Sequence, residues 1–235
     1  VVGIVQRFNV MKLTSLFLPV LGLSSVMFLS NCAEDPSESV PSAEVTPSAE
    51  EAAAPATPEA ASVPGESAAE VVTYTFTEDS KIGFVGSKVT GSHEGGFEKF
   101  SGSFVVEGDK PGQGPHTIEI DMTSTWSDAE KLTGHLKSPD FFDVERFPTS
   151  TFALTSVEPG EGENQYTLSG DLTLHGVSKK ISFPATVVKK ADGSITLDAE
   201  FSINRKDFEI TYPGKPDDLI RDGVVIRLAM VATEA

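Results

Sequence analysis

Cysteine is almost absent: the chain has one, Cys32, so no intrachain disulfide can form and a disulfide-stapled scaffold is excluded. Positive charge is scarce as well, with 18 Lys and Arg against 35 Asp and Glu and a net charge of −17. That balance argues against nucleic acid, which is held through basic patches, and against direct docking on anionic lipid. The four histidines, His93, His116, His135 and His175, stand singly, with no His-x-His, no H-E-x-x-H and no second cysteine to complete a metal site. No G-x-S-x-G nucleophile elbow is present. The glycine-rich stretch 91–96 lacks the Lys and following Ser or Thr that a phosphate-cradling loop uses. The acidic groups Asp217-Asp218 and Glu161-Gly162-Glu163 read as solvated loops rather than acid–base pairs. No enzymatic activity, cofactor, metal or nucleic-acid partner is expected from this inventory.

Long apolar runs are missing too, with one exception. Residues 13–29 are free of charge, follow Met11 and Lys12, and end in Leu29-Ser30-Asn31-Cys32. Translation is expected to start at Met11, with residues 1–31 a secretory signal; about 17 apolar residues is at the short limit for a membrane span. The end of the run resembles the lipobox of bacterial lipoproteins, although Asn31 stands where Gly, Ala or Ser is usual. That resemblance implies lipidation of Cys32, a membrane anchor through it, and a place in the bacterial cell envelope facing the periplasm or the exterior.

Residues 32–72 form the next expected unit, the lipidated cysteine followed by a linker. From residue 33 to 72 the chain is Ala, Pro, Glu, Ser, Thr and Val, with nine acids and no Lys or Arg. Such a composition cannot bury enough apolar surface to offset its ordering entropy. The expectation is a disordered, self-repelling tether that holds the rest on the order of 35 Å from its anchor.

Residues 73–235 make one domain of ordinary size, still acidic at 26 acids against 16 bases. Apolar alternation predicts strands over 71–77, 81–90, 97–107, 116–126, 149–158, 165–174, 179–190, 194–203 and 223–232. Residues 91–96 read as a turn, and Asp192-Gly193 has the sequence of a tight type I′ hairpin turn. About eight antiparallel strands, each with one apolar face, give an all-β fold and suggest a single closed sheet, and an eight-stranded barrel has an interior for side chains or one small ligand. Composition leaves a closed barrel and a sandwich both open.

Between residues 127 and 143 the alternation stops. Ser127 and Glu130 have capping-box spacing, Leu132 and Leu136 share a helical face, and Pro139 ends the helix. Ser138-Pro139-Asp140 gives a second helical start, carrying Phe141 and Phe142. This insert must bury four apolar side chains, and the barrel mouth is the nearest place for them.

Phenylalanine is the over-represented aromatic, 15 against one Trp and three Tyr. It offers apolar surface with no polar handle. Phe84, Phe104, Trp126, Phe141, Phe142, Phe152, Phe183 and Phe201 are the expected cavity lining. Ordinary core packing is the competing account of the same residues.

Three ordered blocks carry a resemblance. Residues 134–144, GHLKSPDFFDV, with Phe147-Pro148 and Thr151-Phe152, are similar to the signature segment of the YceI-like, polyisoprenoid-binding family. Residues 170–178, GDLTLHGVS, and 203–208, INRKDF, resemble two further blocks of it. Glu209 departs from the Gly usual after Asp-Phe, and His93-Glu94-Gly95-Gly96 from the commonest turn. The resemblance implies an extended, lipocalin-like antiparallel β-barrel with a short helical insert, an apolar tunnel for a long isoprenoid chain, and no established catalytic residues. Any cofactor is then a bound polyisoprenoid or other long-chain lipid. Asn204, Arg205 and Asp207 could grip a polar head, or Arg205 could fork onto Asp207 or Asp143 and tie the insert to the sheet. The leading expectation is a membrane-anchored lipid carrier or store, and the competing one an envelope interaction module with a filled core. Oligomeric state is open, with a dimer compatible with the sequence.

Overall fold

Pleated alternation becomes a closed wall in the computed structural model, which describes residues 33–48, 70–108, 110–111 and 116–235. In chain order the strands are β1 (Glu44–Pro47), β2 (Val71–Phe76), β3 (Lys81–Lys88), β4 (Gly91–Phe97), β5 (Phe100–Glu107), β6 (Lys110–Pro111) and β7 (Thr117–Asp121). They continue with β8 (Thr125–Ser127), β9 (Thr149–Pro159), β10 (Gln165–Leu174), β11 (Val177–Lys189), β12 (Ile195–Asn204), β13 (Gly214–Lys215) and β14 (Asp218–Glu234). One helix, α1 (Glu130–Lys137), lies between β8 and β9.

Eight strands close a ring in the order β2, β5, β7, β9, β10, β11, β12, β14 and back to β2, all antiparallel. Closure removes the free edges that an open sheet would have to protect. The 17-residue β14 makes the ring asymmetric. Its C-terminal end, Ala232 to Glu234, pairs with β2, whereas Ile220 to Ala229 pairs with β3. From there β3, β4 and β8 extend the wall, and α1 continues from β8.

Residues 91–96 are a strand rather than the expected turn. Gly95 lies opposite Phe84, and a Cβ on Gly95 would come within 2.4 Å of the Phe84 ring. The glycine marks a close approach, the second meaning such a residue can carry in a strand. The type I′ geometry also falls elsewhere. His175 and Gly176, at φ +53° and +76°, make the two-residue β10–β11 turn. Asp192-Gly193 instead sits in a longer loop closed by Lys190 N–H to Ser194 O, with Gly193 at φ +86°.

The capping box does not form. Ser127 is held in β8 opposite Gly95, and its Oγ bonds the Thr133 hydroxyl and the Ala129 carbonyl, so α1 starts at Glu130 with no side-chain cap. Leu136 is buried and Leu132 partly so, as their shared face requires. The second helical start resolves into successive turns in which Ser138 O accepts from Phe141 and Asp143 N–H.

The greatest departure concerns the linker. Residues 33–48 run along the barrel: Pro36–Ser39 form a 3₁₀ turn capped by Asp35, and β1 pairs with β11. Proximity of fixed partners, invisible in the composition, supplies the ordering. Residues 71–72 belong to β2, and residues 1–32 and 49–69, with the expected signal and Cys32, lie outside the described residues.

Candidate functional site

Inward-facing side chains of the ring do not meet in the middle. They surround a cavity of about 480 Å³, within the ordinary range for small-molecule sites, roughly 300–1,000 Å³. Apolar side chains dominate its lining. Tyr166 and Leu174, both lining residues on β10, are about 26 Å apart along the strand at ~3.3 Å per residue, so the space is long as well as greasy.

Each predicted lining residue has a place. Phe84 on β3, Phe104 on β5, Phe152 on β9, Phe183 on β11 and Phe201 on β12 face the cavity, as do Phe141 and Phe142 of the insert. Trp126 does not. It is 41 % exposed and its indole lies over Gly96, because β8 pairs Trp126 with Gly96 while Ser127 takes the place opposite Gly95. Successive strand residues face opposite ways, and Trp126 has the outward position.

The insert closes one end. Leu136 and Phe141 pack with Phe84 and Ile210, and Phe142 lies between Phe84 and Phe97, with ring centroids 6.1 and 6.0 Å away. His135, Phe141 and Tyr212 form a mutual aromatic cluster at 4.9 to 5.4 Å, fixing α1 to the loop before β13. At the far end the lining turns polar, with His116, Asn164 and Lys189. Ile210 and these polar residues had no periodic signal in the sequence, since they come from loops and strand ends.

Arg205 lines the insert end and is only 4 % exposed. Its guanidinium donates to the carbonyls of Arg221, Ile210 and Ile220 and to the Asp222 carboxylate at 3.2 Å. Burial lowers its pKa and Asp222 opposes the shift. The carboxylate partner is thus Asp222, not Asp207 or Asp143, and the residue binds the irregular start of β14 to the loop after β12. Asn204 caps the 3₁₀ turn Arg205–Phe208 by accepting from Lys206 N–H, and of Asn204, Arg205 and Asp207 only Arg205 lines the cavity.

The histidines are dispersed. His93 pairs with Asp128 and His135 with Asp140, each at 2.8 Å. His175 Nδ1 bonds the Phe208 carbonyl, and His116 Nδ1 accepts from Val105 N–H. Among the described residues no group of three or more His, Cys, Asp or Glu is placed to hold a metal ion.

The sequence profile of the YceI-like domain matches residues 74–232. This chain belongs to the YceI-like family. A UPF0312 protein of Pseudomonas putida strain W619 is 31 % identical over 152 residues, covering 60 % of this chain and 78 % of the relative. The structure of BcnA from Burkholderia cenocepacia is similar at 29 % identity and a TM-score of 0.60, covering 66 % of this chain and 96 % of that one. A domain from Saccharophagus degradans, described as polyisoprenoid binding and implicated in plant cell wall breakdown, shares the fold at a TM-score of 0.57 and 17 % identity, covering 70 % and 99 %. The YceI-like match begins at β2, so the strap of residues 33–48 precedes it.

The YceI-like barrel also explains one departure noted in the sequence. Glu209 has φ +59°, in the left-handed region, at the end of the 3₁₀ turn Arg205–Phe208. Glycine takes that conformation without the Cβ penalty.

Proposed function

We propose that the barrel is a carrier or store for an apolar long-chain lipid of isoprenoid or fatty type, held inside without catalysis. The observation that carries this reading is the long cavity itself, lined from β2 round to β14 by Phe, Leu, Ile and Val and with the polar residues His116, Asn164 and Lys189 at one end. A chain with an apolar body and a small polar head satisfies both regions. Burying apolar area is the whole driving force on offer, at about 25 cal/mol per Å². An interaction module with a filled core would have no use for such a space. The likeness to the polyisoprenoid binding domain is one of fold, and agrees with this reading.

The anchor is part of the same proposal. Cys32 takes a diacylglycerol on its thiol, becomes the mature N-terminus when the signal is cleaved, and holds the barrel at an envelope membrane, facing the periplasm or the exterior. The lipobox-like Leu29-Ser30-Asn31-Cys32 supports it. Organic extraction of the purified protein followed by mass spectrometry tests the lipid reading. A stoichiometric long-chain lipid is the expected result, and an empty extract, with no uptake of added lipid, would overturn it.

A further inference from the structure

β11 and β12 pair only from Thr186 to Lys189, opposite Asp198 to Ile195. Two residues before Thr186 stands Pro184, which has no N–H to continue a ladder. Beyond it the two strands part, while each keeps its other neighbour along its length, β10 for β11 and β14 for β12.

Residues 41–47 fill the split. On one side β1 pairs antiparallel with Lys179 to Ser182. On the other, Ala43 N–H donates to Ser202 O and Ser202 N–H to Pro41 O. The segment is therefore a wall strand supplied from outside the YceI-like match. Its inner neighbours include Ile181, Phe183, Phe201 and Ile203, all of which line the cavity.

This wall strand is held differently from the others. Only Ala43 and Val45 pack against the apolar cluster behind it. Its remaining ties are peptide hydrogen bonds and polar contacts, among them Asp35 with Arg221 at 3.1 Å, the Arg221 guanidinium to the Ala33 carbonyl, Ala33 N–H to the Val89 carbonyl, and Ser48 Oγ to Asp171 at 2.6 Å. Segments with few buried apolar contacts open at the lowest free energy. The insert end, by contrast, is closed by Leu136, Phe141 and Ile210 and by the bonds of Arg205.

We infer that this split is the port through which lipid enters and leaves the cavity, with residues 41–47 as its removable shutter. The inference rests on the reading of the cavity as a lipid site. Withdrawing the one segment between β11 and β12 leaves a slot two strand spacings wide, about 9.6 Å, through which a long chain passes sideways rather than along the ~26 Å of the barrel. Phe183 and Phe201 stand on either side of the split and must separate as the chain passes.

Thr46 and Lys180 are direct cross-strand partners, at a separation a disulfide can span. The test is the full chain carrying Cys32→Ser, Thr46→Cys and Lys180→Cys, oxidised to lock the shutter, with all-trans-retinol as a fluorescent isoprenoid probe. Loading should be about tenfold slower or more in the locked form, a factor matching about 1.4 kcal/mol. The amount bound at the end should be unchanged, and dithiothreitol should restore the rate. Asp35→Asn, which loosens the strap, should load faster than the parent. Equal rates in locked and reduced protein, with normal binding, would overturn the port and leave the lipid reading standing. No uptake in either state would overturn both. A locked form that binds less at saturation would make the strap part of the pocket wall only, and would also overturn the port.

Discussion

Phe183 and Phe201 lie with ring centroids 4.1 Å apart and planes 12° from parallel, across the place where β11 and β12 part. Extending the β11–β12 register would set these two residues opposite each other. Their rings cover from the inside a gap that the backbone leaves and that residues 41–47 fill in the wall. Other phenylalanines do different jobs, and they can be separated by substitution.

Phe208 is 0 % exposed and belongs to the packed cluster, whereas Phe142 borders the cavity. Phe208→Ala should cost about 3–5 kcal/mol of unfolding free energy, the usual range for a filled site. Phe142→Ala should cost roughly half as much, since part of its ring already faces space, and should release bound lipid faster. Urea unfolding of both variants, with and without lipid, checks this. Equal costs and unchanged lipid release would mean that Phe142 is ordinary core.

Glu209 holds a left-handed conformation that costs a side-chain-bearing residue about 1–2 kcal/mol. Glu209→Gly should therefore raise stability, by about 1 kcal/mol at most after the extra freedom of glycine in the unfolded chain is counted. The midpoint of urea unfolding should move upward with an unchanged slope.

Asp35 has an environment of mixed sign. Burial pushes its pKa up, but the Ser37 hydroxyl and N–H and the Arg221 guanidinium push it further down, below the ordinary 3.8. A depressed carboxyl pKa contributes stability that is complete above the unfolded value and lost as pH falls through the folded one. The stability difference between the parent and Asp35→Asn should be level from about pH 7 to pH 5 and shrink below about pH 4. Urea titrations at several pH values read this directly. A difference that grows on acidification would reverse the assignment.

Cys32→Ser should move the protein from the membrane to the soluble fraction if the thiol carries lipid. The intact mass of the parent should correspond to a chain beginning at Cys32 with acyl groups attached. Unchanged fractionation, or a mass beginning elsewhere, would refute the anchor.

Much of the barrel was legible because strand pairing with one buried face writes a period of two into the sequence. Phe84, Phe152, Phe183 and Phe201 could be assigned inward from alternation alone. Carrying the alternation of Ile118 and Ile120 on through the expected strand 116–126 puts Trp126 inward, but the 3₁₀ turn at Met122–Ser124 resets that phase. Residues 91–96 read as a turn because glycine has two meanings, and only the ring of Phe84 across the strand selects between them. The partner of Arg205 was hidden by the same limit, since Asp222 is 17 positions away and meets it only through the fold. The strap was the hardest to foresee. Ala43 and Val45 are too few to form a pattern, and the partners that order them lie more than a hundred residues onward.

The pinned strap changes what the acidic stretch after it can do. Ala33 N–H is bonded to the Val89 carbonyl and Asp35 to Arg221, so the barrel is grasped immediately after Cys32. Further along, Ser48 is fixed to Asp171, and Glu70 O accepts from Gly108 N–H. Residues 48 and 70 are thus both held on the barrel, so the number of residues between them does not enter the link to any anchor. Insertions between them would leave the connection between the barrel and the proposed lipid unchanged. Under the proposed anchor the link runs straight from Cys32 into Ala33, and a residue added between them would lengthen it where an insertion after Ser48 would not.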